Sequence, residues 1–157
     1  VPLIAYWKDK IAPNSISHHI SGFQDMMPTF SDLIGFQNLT QTDGISFLPS
    51  LFSKNQKAHD YLNWEFQLSG WFQSIPNGGF RQSARMGDWK AVRYNLHSDI
   101  NLYNLKDDKN ETNNLANLYP DLIKRVEIIF KISRSDVEGF PYGGVKQNYK
   151  SMNKIAQ

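Results

Sequence analysis

Hydrophobic and polar residues alternate most regularly on either side of Gly87-Asp88. Two extended runs separated by a dipeptide of this type favour a tight antiparallel hairpin, with Gly87 at positive φ. The turn also fixes the register, because successive side chains of a strand point to opposite faces. The predicted pairs are Met86 with Trp89, Ala84 with Ala91 and Gln82 with Arg93 on one face, and Arg85 with Lys90, Ser83 with Val92 and Arg81 with Tyr94 on the other.

The second face of this predicted hairpin carries cations. Arg85 and Lys90 lie opposite each other, and Arg81 lies on the same face. Like charges in that position destabilise a strand pair unless an anion is near. One interpretation is that water, or Glu65 from a neighbouring strand, screens them. The other is that an anionic ligand lies against the face, in which case Gln82 on the same strand is a further candidate for binding it.

The residues around the hairpin predict a small α+β unit. An aromatic-rich run over residues 61–66 and a short run over residues 101–105 are typical of strands. Pro120 suits the first turn of a helix whose apolar positions recur at helical spacing. We therefore expect an antiparallel meander of about four strands packed on a C-terminal helix. The predicted apolar stripe of that helix is Leu122, Ile123, Val126, Ile129 and Phe130.

The N-terminal part has a different pattern. Residues 1–7 are almost continuously apolar, which is typical of a strand buried on both faces in a parallel sheet. Such a strand has no evident partner in the rest of the chain, so we expect the chain to be part of a longer protein. Residues 1–7 are then expected to bury against residues outside the chain, or to pair with a second copy.

A helix is predicted next. Asp25 is a suitable N-cap, Pro28 suits the first turn and Gly35 suits the C-terminal cap. Four apolar residues recur at helical spacing along this segment: Met27, Phe30, Leu33 and Ile34.

Composition narrows the class of protein. A chain of 157 residues with 40% hydrophobic residues is large and apolar enough to bury a core. The net charge of +2 is spread without a basic run, so neither a nucleic-acid partner nor a membrane surface is indicated. Cysteine is absent, which excludes disulfides, thiolate metal sites and a cysteine nucleophile within the chain.

Isolated polar residues offer little chemistry. His18 and His19 are adjacent, so in an extended segment they point to opposite sides and cannot easily share a metal ion. One of them, His19, is a candidate for lining a site. His59 is more typical of a turn or cap. Trp64 either belongs to the core or offers a flat surface for a sugar or aryl ring. We therefore predict no catalytic residue and no metal ligand in this chain.

The order of the motifs resembles the C-terminal part of the type I sulfatases, in the alkaline phosphatase superfamily. Residues 1–7 look like the strand that comes after the family's Gly-Gly-(Ile/Met)-Arg segment, and residues 23–35 are similar to its Asp-x-x-Pro-Thr helix. Residues 43–49 match its Asp-Gly-x-Ser-x-Leu-Pro stretch, and residues 85–90 and 102–105 match its closing strands. Lys8-Asp9 replaces the usual Pro-Gly, and Asn104 replaces an aspartate, both in surface turns.

The resemblance implies that the catalytic groups lie outside this chain. Residues 1–56 look like the end of the large α/β catalytic domain, a strand and a helix, and residues 57–157 look like the small C-terminal subdomain. The family's nucleophile is a formylglycine made from a Cys/Ser-x-Pro-x-Arg motif, which does not occur here. That nucleophile, the calcium ion and the other catalytic residues are then expected on an N-terminal catalytic part, which becomes the partner of this chain.

The resemblance also implies a function. The parent protein is expected to hydrolyse a sulfate monoester of a carbohydrate or an aryl alcohol, and to be periplasmic or secreted. The chain alone is expected to be inactive and to shape the cleft for an anionic, sulfated substrate. The candidate substrate-binding residues are Arg81, Gln82, Arg85, Lys90, Trp64 and His19. Two alternatives are a phosphomonoester or phosphonate hydrolase of the same superfamily and a non-catalytic carbohydrate-binding or interaction module.

Overall fold

The hairpin forms around Gly87 with the predicted register. Strand β2 (Phe80–Met86) and strand β3 (Trp89–Arg93) are antiparallel, and Gly87 has φ +54°. The observed pairs include Met86 with Trp89, Ala84 with Ala91 and Arg85 with Lys90. The glycine at the turn and the strict alternation of side chains were therefore sufficient to predict which residues share a face.

Strands on both sides of the hairpin extend it into a sheet. Strand β1 (Leu62–Gln67) pairs with β2, and strand β4 (Ile100–Asn104) pairs with β3, in both cases antiparallel. Within the part of the chain that the structure describes, these four strands form one sheet in the order β1-β2-β3-β4. The predicted meander is confirmed.

One face of this sheet packs on a C-terminal helix. Helix α3 (Pro120–Ile132) begins at the predicted proline and buries Val126, Ile129 and Phe130. These side chains meet Ala84, Ala91 and Leu102, which have no exposed surface. The small alanines on the two central strands let the helix approach closely. The prediction of an α+β fold with the helix on one side of the sheet is confirmed.

The N-terminal residues form a separate unit with little regular structure. A 3-10 turn (Phe23–Asp25) leads into helix α1 (Met26–Leu33), and a short helix α2 spans Leu48–Leu51. Gly35 comes after α1 with φ +73°, as expected for a C-terminal cap. No side-chain cap by Asp25 is formed at α1, because its carboxylate accepts hydrogen bonds from elsewhere.

One prediction for this unit is wrong. Residues 3–7 are not a strand, and Ile4 and Tyr6 are 89% and 85% exposed. The apolar side of α1 is also exposed, and the helix instead buries Pro28, Thr29 and Ser31. A strand requires a neighbour to accept and donate its ladder hydrogen bonds, and no described residue supplies one here. The exposed apolar side chains of α1 are Met27, Phe30, Leu33 and Ile34.

The computed structural model describes residues 3–36, 39, 41–67 and 79–135. They fall in two compact units: the first unit is Val1–Asp60 and the second unit is Tyr61–Gln157. The predicted domain boundary after residue 56 lies close to this division, and the assignment of residues 1–56 to a larger domain stays a prediction. Among the described residues, no helix is both long and apolar enough to cross a bilayer.

Candidate functional site

The sheet face turned away from α3 gathers most of the predicted binding residues. We call it the basic face and define it by Trp64, Phe66, Arg81, Ser83, Arg85 and Lys90. The register places these side chains together, because Trp64 pairs with Ser83, Phe66 with Arg81, and Arg85 with Lys90. Three strands therefore contribute to one surface in the second unit.

Two of the three cations on this face contact other side chains of the chain. The Arg81 guanidinium donates to the backbone oxygens of Phe80 and Tyr94, at 2.9 and 2.5 Å, and lies over the Tyr94 ring, 5.1 Å from its centroid. Lys90 Nζ is 2.5 Å from Glu111 Oε1, and both side chains are about 30% exposed. The anion that screens Lys90 is therefore Glu111.

Glu65 does not screen the cations, contrary to one of the sequence interpretations. It pairs with Gln82, so it lies on the face covered by α3. Its carboxylate accepts hydrogen bonds from Gln82 Nε2 and from Arg134 Nε, the latter at 3.1 Å. Because side chains alternate along a strand, an acidic residue at position 65 cannot reach the opposite face.

Arg85, the third cation of the basic face, contacts the backbone of the hairpin turn. Its Nε donates to the backbone oxygen of Gly87 at 2.5 Å. Among the residues that the structure describes, no carboxylate lies within ion-pair distance of it. A half-buried guanidinium without an acid beside it can accept an anion through the remaining N–H groups.

The environment near Lys90 also affects a tyrosine. Burial, followed by the charges of Tyr94 and Glu111, raises the pKa of the Tyr103 hydroxyl above its ordinary value of 10.0. Tyr103 pairs with Lys90 across the β3–β4 ladder and is 8% exposed. The neutral phenol is therefore the form present near neutral pH.

Gln82 is not part of the basic face. It has no exposed surface, and its Oε1 accepts hydrogen bonds from the Arg93 guanidinium. Gln82 links Arg93 to Glu65, which in turn binds Arg134 near the end of α3. The predicted role of Gln82 in binding substrate is therefore replaced by a role in holding the helix on the sheet.

Two tryptophans of the sheet, Trp64 on β1 and Trp89 on β3, have different environments. Trp89 packs against the core and against the Tyr119 ring, with 4.7 Å between centroids. Trp64 is 42% exposed, and Phe66, two positions further along β1, is 57% exposed. The core interpretation holds for Trp89 but not for Trp64.

A histidine–aspartate pair in the first unit was not predicted from the sequence. His59 Nε2 lies 2.8 Å from Asp25 Oδ1, and the two side chains are 9% and 0% exposed. The sequence predicts a turn or cap at His59, and no local pattern points to a partner 34 positions away. Asp25 also accepts hydrogen bonds from the backbone N–H groups of Gly22 and Ile45, at 2.7 and 2.8 Å. Its signal in the sequence was only the suitability of an aspartate for capping.

His19 belongs to the same cluster. Its Nε2 is buried and has no hydrogen-bond partner, and the residue lines a cavity of about 640 Å³ in the first unit. Burial lowers the pKa of His19 below its ordinary value of 6.5; the charge of Asp25 opposes this, and His59 lowers it further. The neutral imidazole therefore predominates at neutral pH.

The residues described do not fit a catalytic metal centre. No cluster of three or more histidine, aspartate or glutamate side chains arranged for a metal ion occurs among them. The acidic loop near Asp108 is a turn in which the Asp108 carboxylate accepts backbone hydrogen bonds from Thr112 and Asn113. Those bonds, with that of Asn113 the largest cause, lower the pKa of Asp108 below 3.8. Together with the absence of cysteine, this gives no residue set for the implied calcium ion or formylglycine.

Comparisons with known proteins identify similar chains. No family model matches the sequence. An ulvan-active sulfatase of Formosa agariphila is 36% identical over 62 residues, which are 40% of this chain and 12% of that protein. A structure from Bacteroides thetaiotaomicron, assigned as a sulfatase, has a TM-score of 0.58 at 25% identity and covers 68% of this chain.

The fold is also shared with a hydrolase of a different name. A phosphonate monoester hydrolase from Silicibacter pomeroyi has a TM-score of 0.53 at 20% identity, over 70% of this chain and 24% of its own. The match to the Bacteroides protein covers 23% of that protein. This chain thus spans less than a quarter of the length of each of these three proteins.

Proposed function

We infer that this chain, which resembles sulfatases of the alkaline phosphatase superfamily in both sequence and fold, is the C-terminal part of an enzyme that hydrolyses sulfate monoesters. The observation that carries this inference is the 36% identity to a sulfatase over 62 residues. The fold that the chain shares with the Bacteroides protein supports the same assignment.

The proposed contribution of this chain is to substrate binding. A sulfate ester is an anion, and arginine donates paired, charge-assisted hydrogen bonds to such oxygens. Arg85 is the residue best placed for this, since Lys90 is already paired with Glu111. Arg81 then adds positive charge beside the site.

The nucleophile and metal ion of the proposed enzyme belong to its N-terminal catalytic part. The residues described here fit neither group. The exposed apolar side of α1 is a surface that such a partner could cover. On this proposal the parent carries formylglycine and calcium and is exported to the periplasm or beyond the cell, whereas this chain alone is inactive.

The proposed substrate is a sulfated carbohydrate. The related Formosa protein is named for activity on ulvan, and the exposed indole of Trp64 beside a guanidinium suits a ring that carries an anionic group. A phosphonate monoester hydrolase is the second candidate, since a member of that class has the same fold.

Activity of the longer protein tests this proposal. The parent, expressed with its upstream sequence, is assayed with an aryl sulfate, an aryl phosphate and a phosphonate monoester. Highest kcat/KM on the sulfate is expected, together with no turnover by the 157-residue chain. Preference for the phosphonate would favour the second candidate. Turnover by the chain alone would overturn the proposal that the catalytic groups lie on the N-terminal part.

A further inference from the structure

We propose that His19 is an acid-operated switch of the first unit: when its ring takes up a proton, residues 15–21 detach from the unit while the second unit stays folded. The switch goes beyond the proposed function and does not depend on it, because it uses only side chains of the first unit. The arrangement of His19, Asp25 and His59 and the local structure of residues 15–21 support it.

One ring nitrogen of His19 is enclosed by the chain itself. Nε2 is buried and has no hydrogen-bond partner among the described residues. Because the chain already covers this atom, another part of a longer protein cannot supply a partner unless the segment moves. The neutral ring can place its proton on the other nitrogen, but in the charged ring both nitrogens are donors. Protonation therefore creates a buried, charged N–H group without an acceptor, which is costly.

The neighbouring carboxylate is already occupied by other donors. Asp25 Oδ1 accepts a hydrogen bond from the Ile45 N–H at 2.8 Å and lies 2.8 Å from His59 Nε2. Asp25 Oδ2 accepts a hydrogen bond from the Gly22 N–H at 2.7 Å. Asp25 acts on His19 through its charge, without a hydrogen bond to Nε2. The two histidines thus differ, since a proton on His59 faces a carboxylate directly and a proton on His19 Nε2 does not.

Burial gives the switch its direction. Burial lowers the pKa of His19 below 6.5, the charge of Asp25 raises it, and the charge of His59 lowers it further. Lys54, the other titratable residue that lines the cavity beside His19, is exposed. The effect of burial, which is the largest, disappears once the segment has detached. The detached state therefore binds the proton more tightly, so a fall in pH favours detachment.

The segment that carries His19 is suited to local opening. Residues 15–21 lie outside the helices and strands of the described part of the chain. The His19 N–H donates to Ser17 Oγ, a contact within the segment. Segments without regular structure open at a lower free energy than core strands and helices. The C-terminal end of the segment is fixed, because the Gly22 N–H is bound to Asp25, so the remainder of the unit can stay in place.

The second unit has no corresponding group. Its one histidine in the sequence, His97, is exposed. The side chains packed between the sheet and α3, such as Ala84, Leu102 and Phe130, are apolar and take up no proton. Mild acid should therefore act on the first unit alone.

Nitrogen-15 relaxation dispersion of the 157-residue chain between pH 7.5 and pH 5 tests the proposal. It measures the population of a minor open state on the microsecond to millisecond timescale. At residues 16–21 this population should rise as the pH falls below about 6.5. Uptake of one proton for each opening limits the rise to about tenfold per pH unit. Strands β2 and β3 should show no such rise, and an equal change there would mean general acid unfolding and overturn the proposal.

Two matched variants assign the effect to one ring. His19→Phe keeps a ring that cannot take up a proton, so residues 16–21 should stay closed at pH 5. His18→Gln, at the exposed neighbouring position, should open as the unmodified chain does. Should His19→Phe fold poorly, the unmodified chain still decides, because the NMR shifts of the His19 ring protons must change together with the open population. Opening in folded His19→Phe, or opening that does not accompany titration of this ring, would overturn the proposal.

His59→Gln separates the electrostatic switch from a merely structural contact. Without the charge of His59, the pKa of His19 should rise toward 6.5, and the open population should depend less steeply on pH. An unchanged pKa of His19 would show that the two rings do not act together. Since none of these measurements uses catalysis, an active sulfatase without opening would disprove the switch alone, and opening in a chain whose longer form hydrolyses no sulfate ester would disprove the proposed function alone.

Discussion

His59 Nε2 and Asp25 Oδ1 are 2.8 Å apart, although 34 positions separate them in the sequence. Asp25 is completely buried, and its two carboxylate oxygens also accept the backbone N–H groups of Gly22 and Ile45. One side chain thus ties the start of the first helical segment to two later loops. In a unit with little regular structure, this carboxylate connects segments that are distant in the sequence.

Asp25→Asn is expected to loosen these connections. The substitution replaces one acceptor oxygen with an NH2 group, so one of the backbone N–H groups faces a donor. Loss of charge-assisted hydrogen bonds at a buried site costs about 2–3 kcal/mol. Hydrogen exchange at the Gly22 and Ile45 amides should become faster in this variant. Asp43→Asn, at an exposed aspartate, is the control and should leave both amides protected.

The buried His19 gives the first unit a defined pH dependence. Burial lowers the pKa of His19 from 6.5, so the unfolded chain binds more protons between the two values. Stability should therefore fall as the pH drops below about 6.5 toward the folded-state pKa. His19→Gln should reduce this slope, measured as the urea midpoint between about pH 5 and pH 7.5.

Asp25 also acts on His19, which allows a sharper test. The charge of Asp25 raises the pKa of His19 and so opposes the effect of burial. Asp25→Asn should therefore lower the pKa of His19 further, as followed by the NMR shifts of its ring protons. An upward shift in that variant would mean that burial does not dominate at this histidine.

The sequence predicts elements that depend on local pattern better than it predicts contacts between distant residues. The hairpin register could be predicted from Gly87 and the alternation around it, and α3 from Pro120 and an apolar stripe. The partners of charged side chains could not be predicted. Glu111 reaches Lys90 from a loop 21 residues away, and Asp25 binds His59 across 34 residues of sequence. Neither contact leaves a periodic signal in the sequence.

The failure at residues 3–7 has another cause. Their apolar sequence is typical of a segment that favours burial, but burial also requires a surface to receive it. Within the described residues Ile4 and Tyr6 find none. Periodicity therefore predicts what a segment prefers, whereas only the complete set of neighbours determines what it forms.

Gln82→Leu is expected to destabilise the second unit although it adds an apolar residue to a buried position. The glutamine joins the Arg93 guanidinium to the Glu65 carboxylate, and both would lose a partner in a poorly solvated place. The cost of such unsatisfied groups is about 1–3 kcal/mol. Urea unfolding measures it, with Ser83→Ala on the opposite face of the same strand as a control expected to be nearly neutral.

Two glycines should respond differently to alanine. At Gly44 a Cβ atom would overlap the backbone oxygen of Gln24 and lie 2.9 Å from Pro28 Cγ, so the loop must shift away from α1. At Gly87 a Cβ atom meets nothing within 4 Å, and only the positive φ is unfavourable. We expect a loss of about 1–2 kcal/mol for Gly87→Ala from the left-handed conformation.

Four variants test the causes assigned to the two glycines, which are steric overlap at Gly44 and positive φ at Gly87. Gly44→Ala should cost more than Gly87→Ala, because backbone overlap cannot be relieved by rotating a side chain. Gly87→Asn should cost less than Gly87→Ala, since asparagine adopts positive φ more readily. Gly44→Asn should be at least as damaging as Gly44→Ala. The reverse order at either position, measured by urea unfolding, would show that the cause assigned to it is wrong.

The exposed apolar side of α1 should make the isolated chain associate with itself. Phe30 and Ile34 are 52% and 78% exposed on a helix whose polar side is the buried one. Exposed apolar patches of this kind promote association, because contact removes them from water. Sedimentation velocity should show species larger than a monomer, and their fraction should rise as the protein concentration increases through the micromolar range. Phe30→Gln with Ile34→Gln should shift the chain toward the monomer without lowering its unfolding midpoint, since neither residue is buried. Leu118→Gln, at a 71% exposed leucine of the second unit, should leave association unchanged. A chain that stays monomeric across that range would show that this surface does not drive association.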